Sequence, residues 1–140
     1  MTTTHRLAPR WGEIVRGAAA GAGATLAVGL AALGAGAVIG PLAAGDVIGA
    51  NIGLGLALLA VRLVGTALLF WWLVRRLGVP RPGPATAAGL VVYLLLGVVS
   101  PLDPAPPGAV LAWAVQGGLA GALGVYIAGA SVARGDTGPL

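Results

Sequence analysis

Long apolar runs bounded by arginines dominate this chain and leave few folds open to it. Gly17 to Gly40 contains no charged residue, and Val47 to Val74 is broken only by Arg62. Ala85 to Ser100 is short but wholly apolar or small, and Gly108 to Ala133 has Gln116 as its most polar member. About 20 apolar residues of helix cross a bilayer core of about 30 Å. The runs therefore predict an all-α polytopic membrane protein, a four-helix transmembrane bundle. Residues 1–140 form a single membrane domain, with spans near 14–40, 47–75, 84–100 and 108–133.

Proline and glycine punctuate the runs. Span one is expected to stop at Gly40-Pro41, because Pro cannot continue the hydrogen-bond ladder and biases the preceding residue away from helix. Asp46 is placed to cap span two by accepting from its orphan N–H groups. Pro80, Pro82 and Pro84 keep the next link non-helical, with Pro84 in the first turn of span three. The short proline-rich link from Pro101 to Pro107 makes spans three and four antiparallel neighbours.

With four spans, Arg6, Arg10, Arg16, Arg75, Arg76, Arg81 and Arg134 all fall on one side, whereas the other side has Asp46 and Asp103 and no basic residue. The positive-inside rule then places both termini in the cytoplasm and the protein in the cell (inner) membrane. Trp11, Trp71 and Trp72 lie beside these arginines, at the headgroup level that suits an amphipathic ring. The basic start and the small residues at Ala43-Ala44 resemble a signal peptide, but the first apolar run is too long for one. It is read as an uncleaved helix. Glu13, three residues from both Arg10 and Arg16, reads as a partner in a helix-surface ion pair.

Charged residues make up 9% of the chain, against about 25% in soluble proteins. The arginines are dispersed along the membrane edges, so the net charge of +4 points to anionic lipid rather than nucleic acid. There is no cysteine and only one histidine, His5. No nucleophile–base pair, metal-ligand spacing or phosphate loop is present. The sequence implies no catalysis, no cofactor and no metal.

Small residues recur at helical spacing. Span one has Gly17-x-x-x-Gly21 and Gly36-x-x-x-Gly40, span two opens with Gly45, Gly49 and Gly53, and Gly117, Gly121 and Gly124 share a face of span four. Within a bilayer such faces let helix backbones approach closely, so they are read as packing surfaces.

Arg62 is the one charge inside a span. Asn51 and Thr66 lie near its azimuth, and Gln116 lies at a compatible depth in span four, about 12 Å from its outer end. Arg62, Asn51, Thr66 and Gln116 are the candidate intramembrane polar site. The leading functional expectation is a non-enzymatic accessory or assembly subunit. It would pack through Gly/Ala-rich faces as a homo-oligomer or against a larger membrane-protein partner. The alternative is a small oligomeric transporter or channel with a polar path around Arg62.

Overall fold

The structure, a computed structural model, describes residues 11–43, 48–99 and 108–135. Four helices follow in chain order: α1 (Trp11–Ala43), α2 (Ile48–Arg76), α3 (Pro82–Val99) and α4 (Gly108–Gly135). No strand occurs among the described residues, and the architecture is an all-α bundle. Among the described residues three helical segments are long and apolar enough to cross a membrane: Trp11–Pro41, Gly55–Arg76 and Gly108–Ala130. The apolar part of α3, Pro82–Gly97, is shorter.

Helices α1 and α4 run past the spans read from the sequence, to Trp11 and Gly135, and two boundaries marked by proline differ from that reading. Helix α1 does not stop at Gly40-Pro41 but carries Pro41 within it and ends at Ala43. Pro41 stands in the last turn, so the helix loses only the hydrogen bond that residue 41 would have given to Ala37. Helix α3 begins at Pro82 rather than Pro84. First-turn N–H groups have no intrahelical acceptor, so two prolines there remove nothing the helix uses. Asp46 lies outside the described residues.

The end of α2 is a complete glycine cap. Gly78 takes a φ of +67°, which a residue without Cβ adopts at little cost. Val79 N–H then donates to Val74 O at 3.0 Å, and Gly78 N–H to Arg75 O at 3.3 Å. This is the Schellman pattern, with its usual apolar contact between buried Val79 and buried Val74. Arg16 on α1 donates from Nη1 to Leu77 O at 3.3 Å, which sets the arginine-bearing ends of α1 and α2 at one level. Arg75 and Arg76 lie over the rings of Trp71 and Trp72, at 5.4 and 5.0 Å.

Helices α1 and α4 pack antiparallel through glycine. A β-carbon built on Gly21 would strike the Gly117 carbonyl, and one on Gly121 would strike the Gly17 carbonyl. One on Gly17 would lie 2.5 Å from Val125 Cγ2. Gly124 turns to α3 instead, where a β-carbon would sit 2.5 Å from Ala85 O and 2.8 Å from Gly89 Cα. A β-carbon on Gly89 would lie 3.2 Å from Ala120 O of α4 and 3.3 Å from Phe70 Cε1 of α2. Ala20, Ala24, Phe70, Val74, Val79, Ala85, Val125 and Ala128 form the buried core, with Leu69 and Leu73 against it. Apart from Phe70 these buried side chains are Ala and Val, so close backbone approach does the work that bulky side chains do in a soluble core.

The register leaves one end open. Gly21 opposite Gly117 and Gly29 against Trp113 bring Gly108, the start of α4, level with about residue 30 of α1. Residues 31–43 of α1 continue roughly 20 Å beyond that point. Val28 opposite Gly65 shows that the first half of α2 runs alongside them. Buried positions on α1 recur at Gly17, Ala20, Gly21, Ala24, Thr25 and Gly29, and none is found from Leu30 to Pro41. The large side chains along the distal segment, including Leu33, Val38, Leu56 and Val61, are exposed.

Candidate functional site

Two spaces hold the polar residues. The first is a cavity of about 30 Å³ between all four helices, lined in part by Thr25, Thr66, Thr86 and Tyr93. A water needs about 10–15 Å³, so this is room for two or so. Thr25 is buried and joins α1 to α4: its Oγ1 lies 2.9 Å from both Gly21 O and Trp113 O and 3.0 Å from Ala22 O. One hydroxyl proton is shared among these acceptors. Thr86 donates to Pro82 O at 2.7 Å within its own helix. Thr66 is 8% exposed, and its Oγ1 has no hydrogen-bond partner among the described residues.

The second space is a groove of about 500 Å³ between α1 and α2. Ala27, Ala31, Ala32 and Ala35 form much of the α1 wall, and Leu58, Val61, Gly65 and Leu69 of α2 stand opposite with Arg62. Arg62 reaches past α1, so its guanidinium carbon stands 4.5 Å from the ring centroid of Trp113 on α4. The indole itself lies against Gly29, where a β-carbon would come 2.5 Å from Cε3. Gly29 thereby provides the gap through which α2 and α4 meet.

That ring contact is the one interaction of the Arg62 guanidinium among the described residues. A cation on an aromatic face gains about 0.5–2 kcal/mol. Arginine at the centre of a span costs at least about 2.5–3.5 kcal/mol. The ring offsets part of that cost, and the five N–H donors of the guanidinium meet no acceptor among the described residues.

The candidate polar residues separate. Arg62 lines the groove and Thr66 the cavity. Gln116 lines neither, and its Nε2 donates to Tyr93 O of α3 at 3.2 Å. The side chain of Asn51 lies outside the described residues. The candidate packing glycines divide as well. Gly117 and Gly121 are sealed by α1 and Gly124 by α3. Gly53 meets no described atom within 4 Å of a built β-carbon. Gly45 and the surroundings of Gly49 lie outside the described residues. Among the described residues no ion pair joins Glu13 to Arg16, whose guanidinium serves Leu77.

Sequence reasoning passed over Trp113 as the companion of Arg62. Depth was a usable signal, since Trp113 is five residues inside span four, nearer its end than Gln116. No known protein family, no curated protein and no solved structure matches this chain. The site must be read from its own geometry. Among the described residues no group of three or more His, Cys, Asp or Glu side chains gathers to hold a metal. The chemistry on offer is that of one guanidinium, three buried or half-buried threonine hydroxyls and a set of open glycines.

Proposed function

We propose that this chain is a four-pass protein of the cell membrane with cytoplasmic termini, and that it serves as a non-enzymatic assembly subunit. Its distal α1–α2 segment receives a helix from a second protein or a second copy.

The fourth pass is supported by packing. Helix α3 lies along α4 through Gly89, Ala120 and Gly124, and so shares its depth. Its 18 residues rise about 27 Å, a small mismatch that a bilayer accommodates by local thinning. The orientation rests on Arg16, Arg75, Arg76 and Arg81 lying toward one end.

The observation that carries the assembly role is the contrast within α1. Gly17 and Gly21 are pressed against α4. Gly36 and Gly40 repeat the same spacing further along, within about 20° of the direction of Gly29. They continue the α4-facing side past the point where α4 begins, and no described atom comes within 4 Å of a β-carbon built on either. Gly34, Gly53 and Gly55 are open in the same sense. Glycine lowers intrinsic helix stability by about 1 kcal/mol relative to Ala. The uncovered pair Gly36 and Gly40 is therefore costly unless a neighbouring backbone comes close.

The test is purification in mild detergent from native membranes, with mass spectrometry of what accompanies the wild type and the Gly36→Leu/Gly40→Leu variant. The proposal expects a stoichiometric companion, or a homo-oligomer, that the double variant loses while remaining folded. A monomeric wild type, or an assembly indifferent to both leucines, sinks it.

A further inference from the structure

We propose that Arg62 and the α1–α2 groove bind one anionic phospholipid, with the phosphate on the guanidinium and an acyl chain along the groove. The inference stands apart from the assembly role, because the groove and the open Gly36–Gly40 side are different faces of α1.

Three observations combine. The groove is walled by alanine, valine and leucine and holds one charged side chain, Arg62. That cation finds an aromatic ring but no acceptor among the described residues. A phosphodiester supplies two oxygens to a planar fork of N–H donors and cancels the charge, which an apolar helix from a partner does not.

The depth also fits. Leu77 stands level with Arg16 at the arginine end, and Arg62 lies 15 residues back along α2, a rise of roughly 22 Å. The hydrocarbon core is about 30 Å thick. The guanidinium sits against Trp113, whose ring rests on Gly29, 13 residues and roughly 20 Å from Arg16. It therefore lies within the distal leaflet, about 10 Å below the headgroups, and the phosphate is drawn inward to meet it. From there an acyl chain enters the groove beside Ala35 and Leu58 and runs past Ala31 and Gly65 toward Ala27 and Leu69. Small residues on α1 make the trough, and Leu58 and Leu69 flank it on α2.

The experiment is native mass spectrometry of the full chain in mild detergent, with phosphatidylglycerol or phosphatidylcholine added as probes. Wild type is expected to retain one phosphatidylglycerol per chain and to prefer it to phosphatidylcholine. Arg62→Leu should lower retention about tenfold, the loss of a charge-assisted contact, and Arg62→Lys should retain more than the leucine. Ala31→Leu, which fills the trough with the cation intact, should lower retention too. Inorganic phosphate should not displace the lipid, and displacement would reveal a free-anion site and overturn the proposal. Unchanged retention in a folded Arg62→Leu overturns it as well. So would an Asp46→Asn or Asp103→Asn variant that destabilises as Arg62→Leu does while neither changes the lipid count, because a carboxylate would then be the partner. A second readout keeps Arg62 intact. With Trp11, Trp71 and Trp72 replaced by Phe, quenching of Trp113 by brominated phosphatidylglycerol in phosphatidylcholine vesicles should saturate at one lipid per chain. Quenching that only tracks the bulk lipid fraction contradicts the site.

Discussion

Helix α1 carries the same glycine pair twice, and the two copies have different fates. At the arginine end, Gly17 and Gly21 are pressed against α4 until backbone meets backbone. Beyond Gly29, Gly36 and Gly40 repeat the spacing with no described atom within 4 Å of a built β-carbon. The motif is therefore not itself a contact. It permits a close approach, and whether an approach occurs depends on where the neighbouring helix ends. Here α4 starts level with about residue 30 of α1, so one copy closes the bundle and the other meets no described atom.

That contrast can be broken from either side. The largest effect is expected at Gly21→Leu, which drives a side chain into the Gly117 carbonyl. Backbone cannot yield as a flexible side chain does, so the loss should reach about 3 kcal/mol or prevent folding. Thermal aggregation in detergent would measure it. Gly36→Leu, the same change on the same helix, should stay within about 0.5 kcal/mol of wild type for the isolated chain. Equal damage at the two sites would erase the distinction between the ends.

Next in size is Gly78→Ala. A Cβ at φ +67° costs about 1–2 kcal/mol, and the cap that ends α2 weakens with it. Gly53→Ala in the open segment should cost nothing and gain helix propensity. Thr25→Val removes the hydroxyl bridge between α1 and the Trp113 carbonyl and should cost about 0.6–1.7 kcal/mol in a bilayer-mimetic stability assay. Thr66→Val should be neutral or stabilising, since it deletes a buried hydroxyl with no described partner and keeps its shape. A clear loss there would mean that waters in the 30 Å³ cavity bridge Thr66 to its neighbours.

The helices themselves were legible, because a bilayer demands long apolar runs and the breaks are marked by proline and glycine. Their ends were less so. Pro41 looked like a stop, yet in a last turn it disturbs a single hydrogen bond. The Gly78 cap could have been read from a glycine after Arg75-Arg76 and a proline two residues later. Packing partners were not legible. A helical wheel gives the direction of Gly124 or Arg62 relative to its own helix, but not which neighbour stands there. Gly117 and Gly121 turned to α1, whereas Gly124, read as the same face, turned to α3. The polar stripe of α2 divided likewise, with Arg62 in the groove and Thr66 in the cavity. The Gly29 gap that lets Arg62 reach Trp113 depends on three helices at once.

The central claim is that α1 is closed by its own chain at one end and open to assembly at the other. The most direct measurement uses the absence of native cysteine. Single cysteines at Gly36 and Gly40, and at exposed Ala19 as a lipid-facing control, are labelled with a benzophenone maleimide and photolysed in native membranes. The account predicts a discrete intermolecular adduct from positions 36 and 40 and none from 19. Adducts of equal yield at all three positions, or none at 36 and 40, would contradict it.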